Sequence, residues 1–194
     1  MQKIVCIGLG YIGLPTATMV AEKGLDVLGV DINTRVVDTI NKGAIHIAEP
    51  GLETLVREVV QRGNLRVAVK PEAGDVFLIV VPTPFKGNHE PDITYVEAAT
   101  RSVLPFLKTG NLFIIESTSP IGTTEKMQQL IYSERPELKD KIYVAYCPER
   151  VLPGNLLYEL EYNDRVIGGI DEASTVRAME FYALLVKGQL HKTN

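Results

Sequence analysis

Lys3-Ile4-Val5-Cys6-Ile7-Gly8-Leu9-Gly10-Tyr11-Ile12-Gly13 opens the chain with a short apolar strand that runs straight into G-x-G-x-x-G. A helix-like segment follows, then a second apolar run, Val27-Leu28-Gly29-Val30, and then Asp31. Strand, glycine turn, helix, strand and acid, in that order, form the context that a bare G-x-G-x-x-G lacks. In that arrangement Gly8 makes the tight turn, Gly10 lets a pyrophosphate approach the backbone, and Gly13 lets the helix pack closely on the strand. The helix N-terminus adds unpaired N–H groups and a positive dipole end for the phosphates. A bound dinucleotide is the expectation.

Asp31 sharpens it. A carboxylate at the end of the second strand can accept hydrogen bonds from both ribose hydroxyls of the adenosine half, and it repels a 2′-phosphate, so NAD is favoured over NADP. Hydrogen bonds to a charged group are worth about 1.5–3 kcal/mol each. The competing role is a cap for the helix starting near Asn33 or Thr34; the preceding glycines put the ribose role first. Arg35 is expected against the adenine or ribose edge, or in solvent.

The bulk properties exclude several classes. With 194 residues, the chain suits one domain over 1–194. Lysine and arginine total 20 against 24 acids, a formal charge of −4, so no basic patch invites nucleic acid or a membrane surface. The longest apolar run, Val76 to Val81, is far too short to span a bilayer. The glycine fingerprint, with no small-residue cleavage site after it, argues against a signal peptide. Cys6 and Cys147 do not make a disulfide framework, and a reduced, cytoplasmic setting is expected.

Strand-like runs at 3–7, 26–30, 65–68, 76–81, 111–115, 142–146 and 164–167 alternate with helix-like segments near 12–23, 34–42, 51–62, 92–107, 122–134 and 171–187. Residues 189–193 suit a final edge strand. This alternation predicts an α/β fold: a doubly wound, mostly parallel Rossmann-type sheet with helices on both faces. In such sheets ligands gather outside the carboxyl ends of the strands. The rule selects Asn33 to Arg35, Pro82-Thr83-Pro84-Phe85, Glu116 to Thr124 and Cys147 to Gly154, all on one edge.

On that edge Thr83 has two open readings, a turn hydroxyl bonded to its own backbone or a contact to the cofactor. Thr123 or Thr124 is placed to cap the helix near Gly122, which leaves Thr118 as the functional candidate. Glu149, held by Pro148 beside apolar Val151 and Leu152, is the candidate general base with a raised pKa. Its alternative is an ion pair with the adjacent or a distant arginine. Arg150 could meet a substrate phosphate or carboxylate, or that glutamate. Cys147 has no neighbouring base and suits a small buried residue. The histidines at 46, 89 and 191 have no ligand spacing, so no metal is expected.

Gly-Leu-Gly-Tyr-Ile-Gly-Leu-Pro (8–15), Val-Asp-Ile-Asn (30–33), Glu-Pro-Gly-Leu (49–52), Val-Pro-Thr-Pro (81–84) and Glu-Ser-Thr-Ser-Pro-Ile-Gly-Thr-Thr (116–124) together resemble the nucleotide-sugar 6-dehydrogenases. Tyr-Cys-Pro-Glu-Arg-Val-Leu-Pro-Gly (146–154) and Asn-Asp-Arg-Val-Ile-Gly-Gly (163–169) extend the resemblance over the whole chain. Pro153 stands where UDP-glucose members usually carry a second glutamate. That departure points to a UDP-N-acetylhexosamine, UDP-N-acetylmannosamine first, with UDP-glucose or UDP-N-acetylglucosamine as the alternative.

The resemblance implies oxidation of a sugar's primary alcohol to a carboxylate with two NAD, through an aldehyde and an enzyme-bound thioester. It implies NAD contacts at Tyr11, Ile12, Asp31, Thr83 and Thr118, UDP-sugar contacts at Arg150 and Val151, and a role for Glu149 in activating the hydrolytic water. The family's nucleophilic cysteine, in a Gly-Gly-His-Cys setting, and its catalytic lysine have no match here. The resemblance therefore places the central helix and UDP-binding domain outside these 194 residues. It also implies that the chain alone binds NAD without turning over, and that the full-length enzyme is a homo-oligomer. A stand-alone NAD-sensing module is the reading from another class; the Glu149-Arg150 segment, for which a sensor has no evident need, argues against it.

Overall fold

In β1 (Lys3–Ile7), Ile4 and Cys6 join one buried cluster and Val5 and Ile7 another, the alternation of a strand covered on both faces. The computed structural model describes residues 2–87 and 89–193. After β1 come α1 (Gly13–Glu22), β2 (Asp26–Val30), α2 (Thr34–Asn41), α3 (Leu52–Gln61), β3 (Leu65–Ala68) and β4 (Val76–Ile79). A small hairpin, β5 (Phe85–Lys86) and β6 (Glu90–Pro91), precedes α4 (Thr94–Val103), β7 (Leu112–Ile115), α5 (Thr123–Glu134) and β8 (Tyr143–Tyr146). The chain closes with α6 (Leu156–Tyr162), β9 (Arg165–Gly169), α7 (Glu172–Tyr182) and β10 (Leu190–Thr193). Residues of α1, α2, α3 and α7 share the cluster of Ile4 and Cys6, while α4 and α5 cover the opposite face with Val96, Val103, Met127 and Ile131. Buried on both sides, the central strands are continuous apolar runs.

The main sheet has the order β10-β9-β8-β7-β4-β1-β2-β3. From β1 the chain winds outward through β2 and β3, then returns to β4 on the other side of β1 and winds the opposite way. The order reverses between β1 and β4, so the loops leaving these two strands diverge and leave a crevice at their carboxyl ends. The glycine turn forms one wall and Pro82-Thr83-Pro84 the other. The strand expected over 76–81 ends at Ile79 for a local reason. The Val81 N–H donates to the Ser117 hydroxyl at 2.9 Å instead of extending the ladder, and Pro82 and Pro84 have no N–H to give. The helix expected over 92–107 likewise ends at Val103, where Pro105 leads into a 3-10 turn over 104–106.

The sheet is parallel from β3 to β8, and β9 then runs antiparallel to β8. The cause is α6, an element the sequence periodicity did not reveal. Its seven residues span about 10 Å, too little to carry the chain back along the sheet. Strand β9 therefore starts on the edge where β8 ends. The register pairs Tyr146 with Gly168 and Ala145 with Gly169, and continued outward it sets Glu149 opposite Arg165. The expected edge strand near 189–193 is present as β10, parallel to β9. Among the described residues no helix is long and apolar enough to cross a membrane.

Candidate functional site

Each glycine of the turn is required for a different reason. Gly8 sits at φ +94°, and a Cβ there would lie 2.3 Å from the Val80 carbonyl oxygen. At Gly13 a Cβ would lie 1.9 Å from the Gly8 carbonyl oxygen, so helix and strand meet backbone to backbone. Gly10 is the opposite case: nothing lies within 4 Å of where its Cβ would be. The fold needs glycine at 8 and 13, whereas at 10 the missing side chain leaves open space in front of the α1 N-terminus. Ile12, the residue before α1, carries no side-chain cap, and the first turn holds no acid.

Two cavities meet at Gly10. One, of about 350 Å³, is lined by Gly8, Gly10, Asp31, Ile32, Val69, Tyr95 and neighbours. The other, of about 270 Å³, is lined by Gly10, Tyr11, Ile12, Thr83, Thr118, Glu116 and Glu149 among others. They share Gly10, Val81 and Pro82. An elongated two-part ligand whose phosphates pass over Gly10 fits this shape, and the residues present suit NAD.

Asp31 is oriented by the turn itself. Its Oδ2 accepts from the Leu9 N–H at 3.0 Å and its Oδ1 from the Asn33 N–H at 2.9 Å. Each oxygen keeps a lone pair for a ribose hydroxyl. The capping role belongs to Asn33, whose side chain accepts from the Arg35 N–H at 3.0 Å. Arg35 is exposed and lines neither cavity.

The second cavity is framed by two loops tied together. Thr83 donates to the Thr118 carbonyl at 2.6 Å, so its hydroxyl serves the neighbouring loop and not its own turn. Ser117 accepts from the Val81 N–H and donates to the Ile79 carbonyl at 3.2 Å. Neither Thr123 nor Thr124 caps α5. Gly122 at φ +85° is the cap residue, and Thr123 turns back to the Pro120 carbonyl at 2.7 Å. Thr118 is left exposed on the cavity wall.

Glu149 reaches the cavity floor, and its surroundings differ from the apolar pocket expected. Leu152 is 70 % exposed and does not bury it. Its side chain is buried instead by an ion pair with Arg165, the distant arginine, while adjacent Arg150 faces solvent. The pair is backed by Glu116, 2 % exposed, which accepts from the Tyr182 hydroxyl. The Arg165 guanidinium lies 5.5 Å from the Tyr182 ring centroid. Burial pushes the Glu116 carboxyl above its ordinary range, against the opposing pull of Arg165 and the Tyr182 hydrogen bond. Cys147 is fully buried and its thiol is pushed up to about 12, chiefly by burial, which makes it an inert core residue. Beyond Glu149, Arg150, Tyr162, Asn163 and Asp164 line a polar cavity of about 400 Å³. Val151, the next residue after Arg150, is half-buried and does not line it. Among the described residues no group of three or more His, Cys, Asp or Glu could hold a metal ion.

A further carboxylate, Glu49, fastens the site together. It is 7 % exposed and accepts three hydrogen bonds, from the Tyr11 hydroxyl at 3.0 Å, the Gly154 N–H at 2.9 Å and the Leu156 N–H at 2.7 Å. Burial alone would raise its pKa, but these donors outweigh it and hold the carboxyl below its usual range. The glycine turn is thereby pinned to the loop that carries Glu149 and Arg150. Glu49, Glu116 and Arg165 all lie in stretches that the family resemblance rests on, yet no spacing rule assigns them a role.

Residues 2–186 match the description "UDP-glucose/GDP-mannose dehydrogenase family, NAD binding domain". The UDP-N-acetyl-D-mannosamine dehydrogenase of Escherichia coli (strain K12) is 52 % identical over 97 % of this chain and 47 % of its own length. An NDP-N-acetyl-D-galactosaminuronic acid dehydrogenase of Ralstonia nicotianae is 50 % identical over 97 % of this chain and 46 % of its own. Among solved structures, the UDP-N-acetyl-mannosamine dehydrogenase of Staphylococcus aureus superposes with a TM-score of 0.95 at 44 % identity, covering 99 % of this chain and 47 % of that one. The chain thus spans about half the length of these relatives. It belongs to the UDP-glucose/GDP-mannose dehydrogenase family and forms the NAD-binding domain of that family.

Proposed function

We propose that this chain is the cofactor half of a nucleotide-sugar 6-dehydrogenase whose substrate is UDP-N-acetylmannosamine and whose product is the corresponding uronate. The observation that carries the reading is the meeting of two cavities at Gly10, with Asp31 in one and Thr83, Thr118 and Glu149 in the other. Bound NAD supplies the hydride acceptor, two equivalents per alcohol taken to carboxylate. Asp31 holds the adenosine ribose, Gly10, Tyr11 and Ile12 face the pyrophosphate, and Thr83 and Thr118 position the nicotinamide half. Glu149 assists the hydrolytic water, and Arg150 and Val151 meet the UDP-sugar at the mouth of the polar cavity. Pro153 and the N-acetylhexosamine relatives support the sugar class. The galactosaminuronate-type relative makes the configuration of that sugar the open choice within the class. Buried free Cys6 and Cys147 suit a reducing, cytoplasmic setting.

The chain alone binds NAD without sustained turnover, since it offers no Gly-Gly-His-Cys nucleophile. Calorimetric titration tests the cofactor assignment: Asp31→Ala weakens NAD binding at least about tenfold and leaves NADP binding nearly unchanged. Equal losses for both cofactors overturn the ribose role. Incubation with NAD and UDP-N-acetylmannosamine gives no continuing NADH production, and sustained production overturns the division of labour.

A further inference from the structure

Four buried side-chain atoms among the described residues lack a hydrogen-bond partner: Thr16 Oγ1, Glu116 Oε2, Glu149 Oε2 and Arg165 Nε. They fall in one place. Arg165 pairs with Glu149, its charge acts on Glu116, and the Thr16 hydroxyl lies beside Glu116 without completing a hydrogen bond to it. Glu116 and Glu149 both line the cavity below Thr83 and Thr118. Orphaned polar atoms are rare in protein interiors and mark strain, an ion or a chemical role. Two of the four belong to Glu116 and Glu149, which line a cavity.

The cluster holds two carboxylates and one guanidinium: Arg165 pairs directly with Glu149 and lies over the ring of Tyr182, whose hydroxyl donates to Glu116. The other groups facing Glu116 supply no further positive charge: Tyr182 from α7 donates its hydroxyl hydrogen, Thr16 on α1 is neutral, and burial keeps the Cys6 and Cys147 thiols protonated. Two buried anions against one cation leave an uncompensated charge, and taking up a proton removes it more cheaply than burying it. Glu149 holds the direct ion pair, so the proton resides on Glu116.

We infer that Glu116 and Glu149 form a one-proton couple linked through the charge of Arg165, with Glu116 as the resting acid and Glu149 as the resting base, both lining the same cavity. When Glu149 takes a proton from the cavity side, its hold on Arg165 weakens. The guanidinium then favours ionised Glu116, whose proton leaves toward the same side. One proton enters, one leaves, and the cluster's net charge is unchanged. Glu116 is thus a positioning residue for the protonation state of Glu149, in a role that requires no particular sugar substrate.

Carboxyl-carbon NMR of the ¹³C-glutamate-labelled chain, assigned through the backbone, reads both groups in place. Near neutral pH one glutamate carboxyl, Glu116, resonates as a neutral acid while Glu149 is ionised. In Glu149→Gln the Glu116 carboxyl releases its proton at least about tenfold more readily, because Arg165 has no competing anion. In Glu116→Gln the neutral-acid signal is lost and Glu149 remains ionised to lower pH. Because wild type and Glu149→Gln report Glu116 directly, poor folding of Glu116→Gln does not remove the test. The couple is overturned if every glutamate is ionised near neutral pH, or if Glu149→Gln leaves the Glu116 midpoint in place. Neither outcome touches the NAD and NADP titrations, so a failure here is separable from a failure of the cofactor assignment.

Discussion

The three glycines of the turn look alike in sequence and differ in what they answer to. Gly8 and Gly13 are demanded by the backbone of the protein, since a Cβ there would lie 2.3 Å and 1.9 Å from carbonyl oxygens, whereas Gly10 borders open space. Alanine substitution separates the two requirements. Gly13→Ala costs about 3 kcal/mol or more by forcing helix α1 off β1, read by urea denaturation. Gly10→Ala changes stability by no more than about 0.5 kcal/mol and weakens NAD binding at least about tenfold. A reversed pattern, with Gly10→Ala unfolding the protein, refutes this assignment. These roles were legible in the sequence because G-x-G-x-x-G specifies a backbone geometry. That Glu149 would line the cavity edge was legible for a similar reason, its place at a strand's carboxyl end. An ion pair with a distant arginine was one of its two readings, but that the arginine is Arg165 depends on a strand sixteen residues on reversing direction.

At the scale of elements, short α6 and its tether decide where Glu149 and Arg150 sit. Glu49 joins the glycine turn to the N-terminus of α6 through Tyr11, Gly154 and Leu156. Because its folded-state pKa is lowered, the stability it contributes is present above the ordinary glutamate range and is lost as pH falls through the lower folded value. Thermal melts of Glu49→Gln against wild type therefore show a deficit at neutral pH that narrows in acid. A deficit independent of pH assigns Glu49 a purely steric role. The sequence disclosed the central strands and the helices of the doubly wound core, where periodicity and apolar runs are strong. It did not disclose α6 or the β5–β6 hairpin. One has seven residues, and the other has strands of two exposed residues each, too short for either to impose a period.

For the whole molecule, the crevice at the switch between β1 and β4 leaves cofactor binding as a sizeable share of stability. At NAD concentrations a hundredfold above the dissociation constant, binding adds about 2.7 kcal/mol, which raises the melting temperature by about 5–10 °C for a chain of this size. NADP at the same concentration raises it much less. Equal shifts from both contradict the reading of Asp31. The fold class followed from the alternation of strands and helices, and the cofactor from the first thirty-one residues. The sugar did not follow from physics alone: its class rests on the family resemblance, and the roles of Arg150 and Val151 toward it belong to the proposed reading.

The antiparallel return of β9 also sets a rule for splicing this domain with its relatives. Loop length between β8 and α6 is thermodynamically forgiving, provided a junction in the exposed stretch from 152 to 155 keeps the Gly154 N–H on Glu49. A single residue gained or lost within β9 shifts its pairing with β8 by one and turns every side chain to the opposite face. Val166 or Asp164, according to the direction of the slip, would then stand across from Glu149 and Arg165 would leave it. Such a chimera would keep its fold class, its glycine turn and its appetite for NAD, and would hold a buried carboxylate with no counter-charge.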